Sequence, residues 1–185
     1  MSDLQAWKTL SSQELLAIPH RLRVSVEKVQ LPDSRIIDDF HQIELPEYAV
    51  IFAQTPEGTI VMERHYKHGT RRVILSLPAG YVEPGEEPLE GAKREFMEET
   101  GYKADDWYSL GTYVVNGNQG CGKAHIFIAR GARQIQSPNS GDLEETELVL
   151  MTPGEVIQAV IDGDVATLPS IASIALALNS DFMPK

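Results

Sequence analysis

The feature that most constrains this chain is the run from Leu77 to Tyr102, where a turn punctuated by Gly80 and Pro84-Gly85 feeds an amphipathic stretch dense in carboxylates. At about 100° per residue, Glu95, Glu98 and Glu99 share one helical face, while Leu89, Ala92 and Phe96 lean to another. Thr100 continues the periodicity and Gly101 is a C-terminal stop, so the spacing predicts a helix ending there. Three carboxylates at i, i+3 and i+4 repel one another by a few tenths of a kcal/mol per pair, and Arg94, four residues before Glu98, relieves only part of that. A hard divalent cation relieves the rest. Mg²⁺ takes oxygen ligands and keeps several waters, so one or two of these carboxylates suffice to hold it. The glycines upstream allow a tight loop that aims a backbone carbonyl at the same ion.

The rest of the chain surrounds this segment with short extended runs. Residues 21–29 alternate at period two, as a strand with one solvated face does. Further strand-like runs are 36–43, 48–54, 59–64, 73–77, 108–115, 124–130 and 146–151, and Thr55-Pro56-Glu57-Gly58 reads as a hairpin turn. Ser11 to Leu16 reads as a short helix. Thr152-Pro153-Gly154-Glu155 has the threonine cap, N1 proline and N3 glutamate of a capping box, and Ser170 to Leu178 reads as a further apolar helix. Strands interspersed with a few helices imply an α/β fold in which helices cover a sheet.

Composition narrows the function. The chain has 185 residues, one domain's worth, with 16 Lys plus Arg against 27 Asp plus Glu and a net charge of -11, so a nucleic-acid polymer is repelled. No apolar run reaches the length of a membrane span and the N-terminus lacks a signal-peptide pattern, so the expectation is a cytoplasmic protein with no membrane partner. A single cysteine, Cys121, excludes an internal disulfide framework and a Cys-based zinc cage. The histidines at 20, 41, 65, 68 and 125 show no ligand spacing, and Trp7 and Trp107 read as packing groups.

The segment from Gly80 to Tyr102 resembles the Nudix box, G-x5-E-x7-R-E-U-x-E-E-x-G-U. Gly80, Glu86, Arg94, Glu95, Phe96, Glu98, Glu99 and Gly101 fall on its fixed positions without a gap; Phe96 and Tyr102 are aromatic where aliphatics are usual, both at packing positions. The resemblance implies a Nudix-like α/β/α sandwich with a mixed β-sheet as a catalytic domain at 46–185, preceded by a small β extension at 1–45 that dimerises through its strands. It also implies a hydrolase of a nucleoside diphosphate linked to another moiety, with Mg²⁺, or alternatively Mn²⁺, as cofactor. Carried over, the metal ligands are the Ala79 carbonyl, Glu95 and Glu99, with Glu98 for a further ion, while Glu86 and Arg94 orient them.

Within the family, Glu63-Arg64-His65-Tyr66-Lys67 and the Leu77-Pro78-Ala79-Gly80 entry resemble the branch acting on ADP-ribose and other nucleoside diphosphate sugars. By the same resemblance the acidic run Asp142 to Glu147 supplies the catalytic base, with Glu144 favoured by register and Glu145 as the alternative. Arg64, Lys67, Arg71 and Arg72 form a basic cluster suited to clamping phosphate or sugar. The proline that the strict ADP-ribose group tends to carry downstream is replaced by Gly117 in a glycine-rich loop, which points to a loose sugar side. The products expected are a nucleoside monophosphate and a sugar phosphate. Competing readings are a nucleoside-triphosphate or dinucleoside-polyphosphate hydrolase, and a domain that senses nucleotide sugars without cutting them.

Overall fold

A computed structural model of the protein describes residues 4–139, 141 and 145–182. The chain forms two compact units, Met1–Pro46 with Val114–Lys123, and Glu47–Tyr113 with Ala124–Lys185.

The first unit is an antiparallel meander of β1 (Lys8–Ile18), β2 (Leu22–Gln30) and β3 (Ile36–Glu44). The helix expected at Ser11 to Leu16 does not form. Those residues lie inside β1, paired with β2 from Lys8↔Gln30 to Ile18↔Leu22. A segment that short is marginal as a helix, whereas β2 offers a full row of backbone partners. The hairpin closes through His20, whose φ of 59° is left-handed, and Arg21 N donates to Ile18 O at 3.0 Å. Trp7 meets Phe40 edge-on at 5.6 Å, the packing role its sequence context suggested.

The second unit is an α/β/α sandwich. Its sheet is built from β4 (Tyr48–Gln54), β5 (Ile60–Lys67), β6 (Arg72–Ser76) and the three-residue β7 (Ala79–Tyr81). Helix α1 (Pro88–Thr100) follows, then the short β8 (Tyr102–Lys103), β9 (Asp106–Asn116), β10 (Gly120–Arg130), β11 (Arg133–Gln134) and β12 (Thr146–Met151). Helices α2 (Pro153–Ile161) and α3 (Leu168–Leu178) close the chain before a single 3₁₀ turn at Ser180–Phe182. Strand β10 runs parallel to β4 from Ala124↔Tyr48 to Arg130↔Gln54, while β7 and β5 join β4 antiparallel and β6 and β12 flank β5 antiparallel. The sheet is therefore mixed.

Burial on both faces explains why β4 reads as an almost unbroken apolar run. One face carries Val50, Phe52, Ile60, Met62, Leu75 and Leu77 against Val156 and Ala159 of α2 and Ile174 and Ala177 of α3. The other carries Ala49, Ile51, Ala53 and Val61 against Ala92 and Phe96 of α1. Phe96 is fully buried, an anchor worth about 1.5–3 kcal/mol, and Trp107 packs edge-on against it at 5.9 Å. This anchor sets which face of α1 is left for chemistry.

The capping box at α2 forms as expected. Glu155 N donates to Thr152 Oγ1 at 3.3 Å and Thr152 N donates to Glu155 Oε2 at 2.7 Å. Thr152→Ala is expected to cost about 1 kcal/mol and to lower Tm by about 2–4 °C. Because α2 lies on the sheet face opposite α1, catalytic turnover should stay at the wild-type level; thermal unfolding followed by circular dichroism, with an activity assay alongside, checks both.

Candidate active site

The site begins where β7 leaves the sheet. Val82 N donates to Glu47 O at 2.9 Å, and the chain then turns through Glu83-Pro84-Gly85-Glu86, with Glu86 N bonded to Glu83 O at 3.0 Å. Gly85 has φ of 84°, the left-handed conformation that the third residue of a type II turn requires. Pro88 then starts α1 with its φ preset and no donor to lose. At the other end Gly101 adopts φ of 71° and donates its N–H to Met97 O.

One guanidinium organises everything between these ends. Arg94 Nε donates to Glu86 Oε1 and Nη2 to Glu86 Oε2, both at 3.0 Å, a bidentate fork across the turn. Its Nη1 reaches Glu95 Oε1 at 2.8 Å and Glu98 Oε2 at 3.2 Å, and Nη2 also donates to Tyr81 O at 2.9 Å. Arg94 and the Glu83 N–H together hold the Glu86 carboxyl below the usual carboxylate range. Arg94 thus fixes two of the proposed metal carboxylates and the loop facing them. These contacts join the two residues that the resemblance pairs as orienting groups.

Glu99 lies deeper, toward the sheet. Its Oε2 accepts from Ala79 N at 3.1 Å, which ties the helix to the residue whose carbonyl is the remaining proposed ligand. Burial first, then the negative charges of Glu63 and Glu95, push the Glu99 carboxyl well above its ordinary range, against the opposing pull of the Ala79 N–H and Lys67. A pair of carboxylates, Glu95 with its Arg94 partner and Glu99 with the Ala79 N–H, has formed there. Gly80 is the reason it can form, since a Cβ at that position would fall inside the Glu95 carboxylate. The carboxylate therefore lies directly against the β7 backbone.

This donor set suits a hard cation. Every candidate ligand is oxygen, and the only Cβ that would fill the cradle is missing at Gly80. Among the described residues no three His, Cys, Asp or Glu side chains converge closely enough to cage an ion by themselves. A Mg²⁺-type site does not require that, because water and substrate oxygens complete its shell.

The basic cluster does not stay together. Along β5, Lys67 shares the α1-facing side with Val61, Glu63 and His65, whereas Arg64 alternates to the opposite side and pairs with Glu147, Nε to Oε2 at 3.5 Å. Arg72 donates to Gly163 O at 2.6 Å, and Arg71 sits exposed in the β5–β6 turn with φ of 59°. Of the four, Lys67 is the one whose charge opposes the upward shift of the Glu99 carboxyl. Glu144 lies outside the described residues; Glu145 is exposed, immediately before β12.

Two features escape a reading by motif. Glu63 is buried at 2% exposure beneath α1, and the signal for it was the alternation that places it with Val61 on the inward face. His125, buried on β10, bridges Thr112 Oγ1 at 2.9 Å and Glu47 Oε2 at 2.7 Å. No local spacing announces that second arrangement, because its three members come from separate strands and a loop.

A model of the NUDIX domain matches residues 45–169. The chain belongs to this family and is a Nudix hydrolase. It is 27% identical over 163 residues to the methanol dehydrogenase activator of Bacillus methanolicus, covering 86% of each chain. To the ADP-ribose pyrophosphatase of Bacillus subtilis it is 28% identical over 142 residues, covering 77% of this chain and 75% of the relative. A crystal structure of an ADP compounds hydrolase superposes with a TM-score of 0.82 at 20% identity, over 96% of this chain and 95% of that one, which establishes the shared fold. Nudix hydrolases generally need divalent metal ions, and the oxygen donors around Gly80 are of the right kind.

Gly80→Ala tests the cradle. The added methyl forces Glu95 off the β7 backbone, so the thermal stabilisation conferred by saturating Mg²⁺ or Mn²⁺ should shrink or vanish while the metal-free protein still unfolds cooperatively. An unchanged metal-dependent Tm shift would show that the closeness of Glu95 to β7 is irrelevant to cation binding.

Proposed function

We propose that the protein is a Mg²⁺-dependent pyrophosphatase acting on ADP-ribose or related nucleoside diphosphate sugars, releasing a nucleoside monophosphate and a sugar phosphate. The observation that carries this reading is the alignment of Glu95 and Glu98 by Arg94, with Glu99 bonded to the Ala79 amide. A purely ligand-sensing domain has no need of a braced row of carboxylates. The names of the Bacillus subtilis relative and of a Mycobacterium tuberculosis relative, both ADP-ribose pyrophosphatases, favour the substrate class.

In this reading Ala79, Glu95, Glu98 and Glu99 hold the cation, which neutralises the diphosphate and activates water. Arg94 and Glu86 keep those carboxylates in place, so that little reorganisation accompanies the reaction. Lys67, on the α1 side of β5, offers positive charge to a phosphate oxygen. Proton abstraction falls to Glu144 or Glu145. The described flanks of that loop are anchored beside the site, since Asn139 N donates to Glu98 O at 2.8 Å and Thr146 pairs with His65 across β12 and β5. A base in this loop would need hydrogen-bond reach to the water it deprotonates, and these two anchors support that reading.

Homodimerisation belongs to the same reading. Strand β1 is exposed along its whole length, with Leu10, Leu15, Leu16 and Ile18 each more than 40% exposed. A long apolar edge strand favours pairing with a second copy. A cytoplasmic site of action is part of the same proposal; among the described residues no helix is long and apolar enough to cross a membrane.

A panel of ADP-ribose, other nucleoside diphosphate sugars, nucleoside triphosphates and dinucleoside polyphosphates, assayed with Mg²⁺ and with products identified, tests the activity. Rates are expected to vary gradually across the diphosphate sugars, because cation and phosphate contacts common to all supply most of the transition-state stabilisation. Preference for triphosphates would overturn the substrate class, and tight binding with no turnover would leave a sensor. Glu99→Gln should abolish turnover in a folded protein.

The base is identified by two isosteric changes. Glu144→Gln is expected to lower kcat by about 10²–10⁴-fold with metal affinity retained. A wild-type rate in that variant, with a collapse in Glu145→Gln, assigns the role to Glu145; two normal rates remove the loop from the proton transfer.

A further inference from the structure

Strand β9 ends at Asn116 and β10 begins at Gly120, so Gly117, Asn118 and Gln119 close the hairpin between them. The chain has four asparagines, and Asn116 is the one followed by glycine. Its exposed side chain folds forward over that glycine, because Oδ1 accepts from the backbone N–H groups of Asn118 and Gln119, both at 2.9 Å. The amide nitrogen Nδ2 has no hydrogen-bond partner among the described residues. Gly117 is unhindered: its φ is not left-handed, and a Cβ built there meets nothing within 4 Å. The same turn is bonded to β3. Gln119 O accepts from Ile43 N at 2.9 Å, Gln42 Nε2 donates to Asn118 O at 2.9 Å, and Gly120 pairs with Ile43, whose other neighbour is Val24 of β2.

We propose that Asn116 is a modification site, at which the turn itself drives deamidation through a cyclic imide with water as co-reactant, and that the isoaspartyl product detaches the hairpin from β3. The proposal is independent of the catalytic reading. In the first step the Gly117 amide nitrogen gives its proton to solvent and attacks Asn116 Cγ; the N–Cγ bond forms, the Cγ–Nδ2 bond breaks, and ammonia leaves with a proton taken back from solvent. Water then opens the ring. Addition at Cγ yields aspartate, whereas addition at the main-chain carbonyl yields isoaspartate, and no atom changes oxidation state. The two N–H donors on Oδ1 polarise the carbonyl under attack and are in place to bear the charge that develops on its oxygen. A glycine nitrogen has no neighbouring side chain to crowd its approach. Nδ2 departs without breaking a hydrogen bond to the protein. The aspartate product keeps both turn bonds and strengthens them through its charge. Isoaspartate instead routes the chain through Cβ, which inserts a carbon ahead of Gly117 and moves the Gln119 carbonyl out of register with Ile43 N.

The test is incubation of the full chain at neutral pH and physiological temperature for weeks, for the wild type and Gly117→Ala. Peptide mapping by mass spectrometry reads the one-dalton gain of deamidation, and enzymatic methylation detects isoaspartate. Asn116 is expected to convert several-fold faster than Asn118 and Asn179, which are exposed in the same chain but precede Gln119 and Ser180. Gly117→Ala, which the backbone accommodates, should slow conversion at position 116 several-fold with circular dichroism unchanged. Hydrogen exchange reads the consequence: the Ile43 amide should lose protection in the isoaspartyl fraction and keep it in Asn116→Asp. An intact Asn116, or one converting no faster than Asn118 and Asn179, overturns the proposal, as does a wild-type rate in folded Gly117→Ala. Should that variant not fold, the comparison of the three asparagines within the wild type decides. Full protection of Ile43 in the isoaspartyl form overturns the detachment from β3.

Discussion

The geometry of the catalytic helix depends on a single guanidinium. Arg94 joins Glu86 in the preceding turn, Glu95 and Glu98 on its own helix, and the carbonyl of Tyr81 at the end of β7. Without it the helix would present mutually repelling carboxylates with independent rotamers, and nothing would couple them to the loop. A lysine could not substitute, because a point charge lacks the planar fork that spans both oxygens of Glu86 while other nitrogens serve Glu95 and Glu98. The conformational entropy of several long side chains is thus lost at folding rather than at substrate binding, which is the physical content of preorganisation.

The second constraint is the absence of side-chain volume at Gly80. Phe96 anchors α1 to the sheet through full burial, and this fixes how close the opposite, carboxylate-bearing stripe comes to β7. With a Cβ at position 80, the Glu95 carboxylate would have to leave the β7 backbone, while Phe96 could keep its burial. The glycine, the aromatic anchor and the Ala79 amide bond to Glu99 are one device. Packing supplies the approach, and the hydrogen bond selects which oxygen of Glu99 is committed to the backbone.

Legibility in the sequence followed locality. Helix α1, its Gly101 stop and the Arg94 relations were readable because helical spacing and a tight turn are written within two dozen residues. The capping box of α2 was readable for the same reason. Strand β1 was not, since its conformation is decided by pairing with β2 rather than by its own weak periodicity. The three residues of β7, enclosed between Pro78 and Pro84, are too few to show alternation. The basic cluster looked coherent in one dimension, yet strand alternation sends Arg64 to Glu147 and leaves Lys67 on the α1 side. Glu63 belongs to the motif-like run 63–67, and its burial is legible only in its phase with Val61.

What remains for specificity lies outside this braced centre. In the proposed reading, metal and phosphate handling uses α1, β7 and Lys67 of β5, elements whose positions are fixed by the core and which would leave little room to discriminate among substrates sharing a diphosphate. In a chain of net charge -11, the proposed diphosphate substrate would be drawn in by a bound cation and by Lys67 rather than by the surface at large. On that reading, discrimination between sugars and bases would come from groups that touch neither phosphate. Such groups change preference by only a few kcal/mol each and can vary without disturbing the core. Relatives of this chain bear names as different as a pyrophosphatase and a dehydrogenase activator, a breadth that such a separation of duties permits.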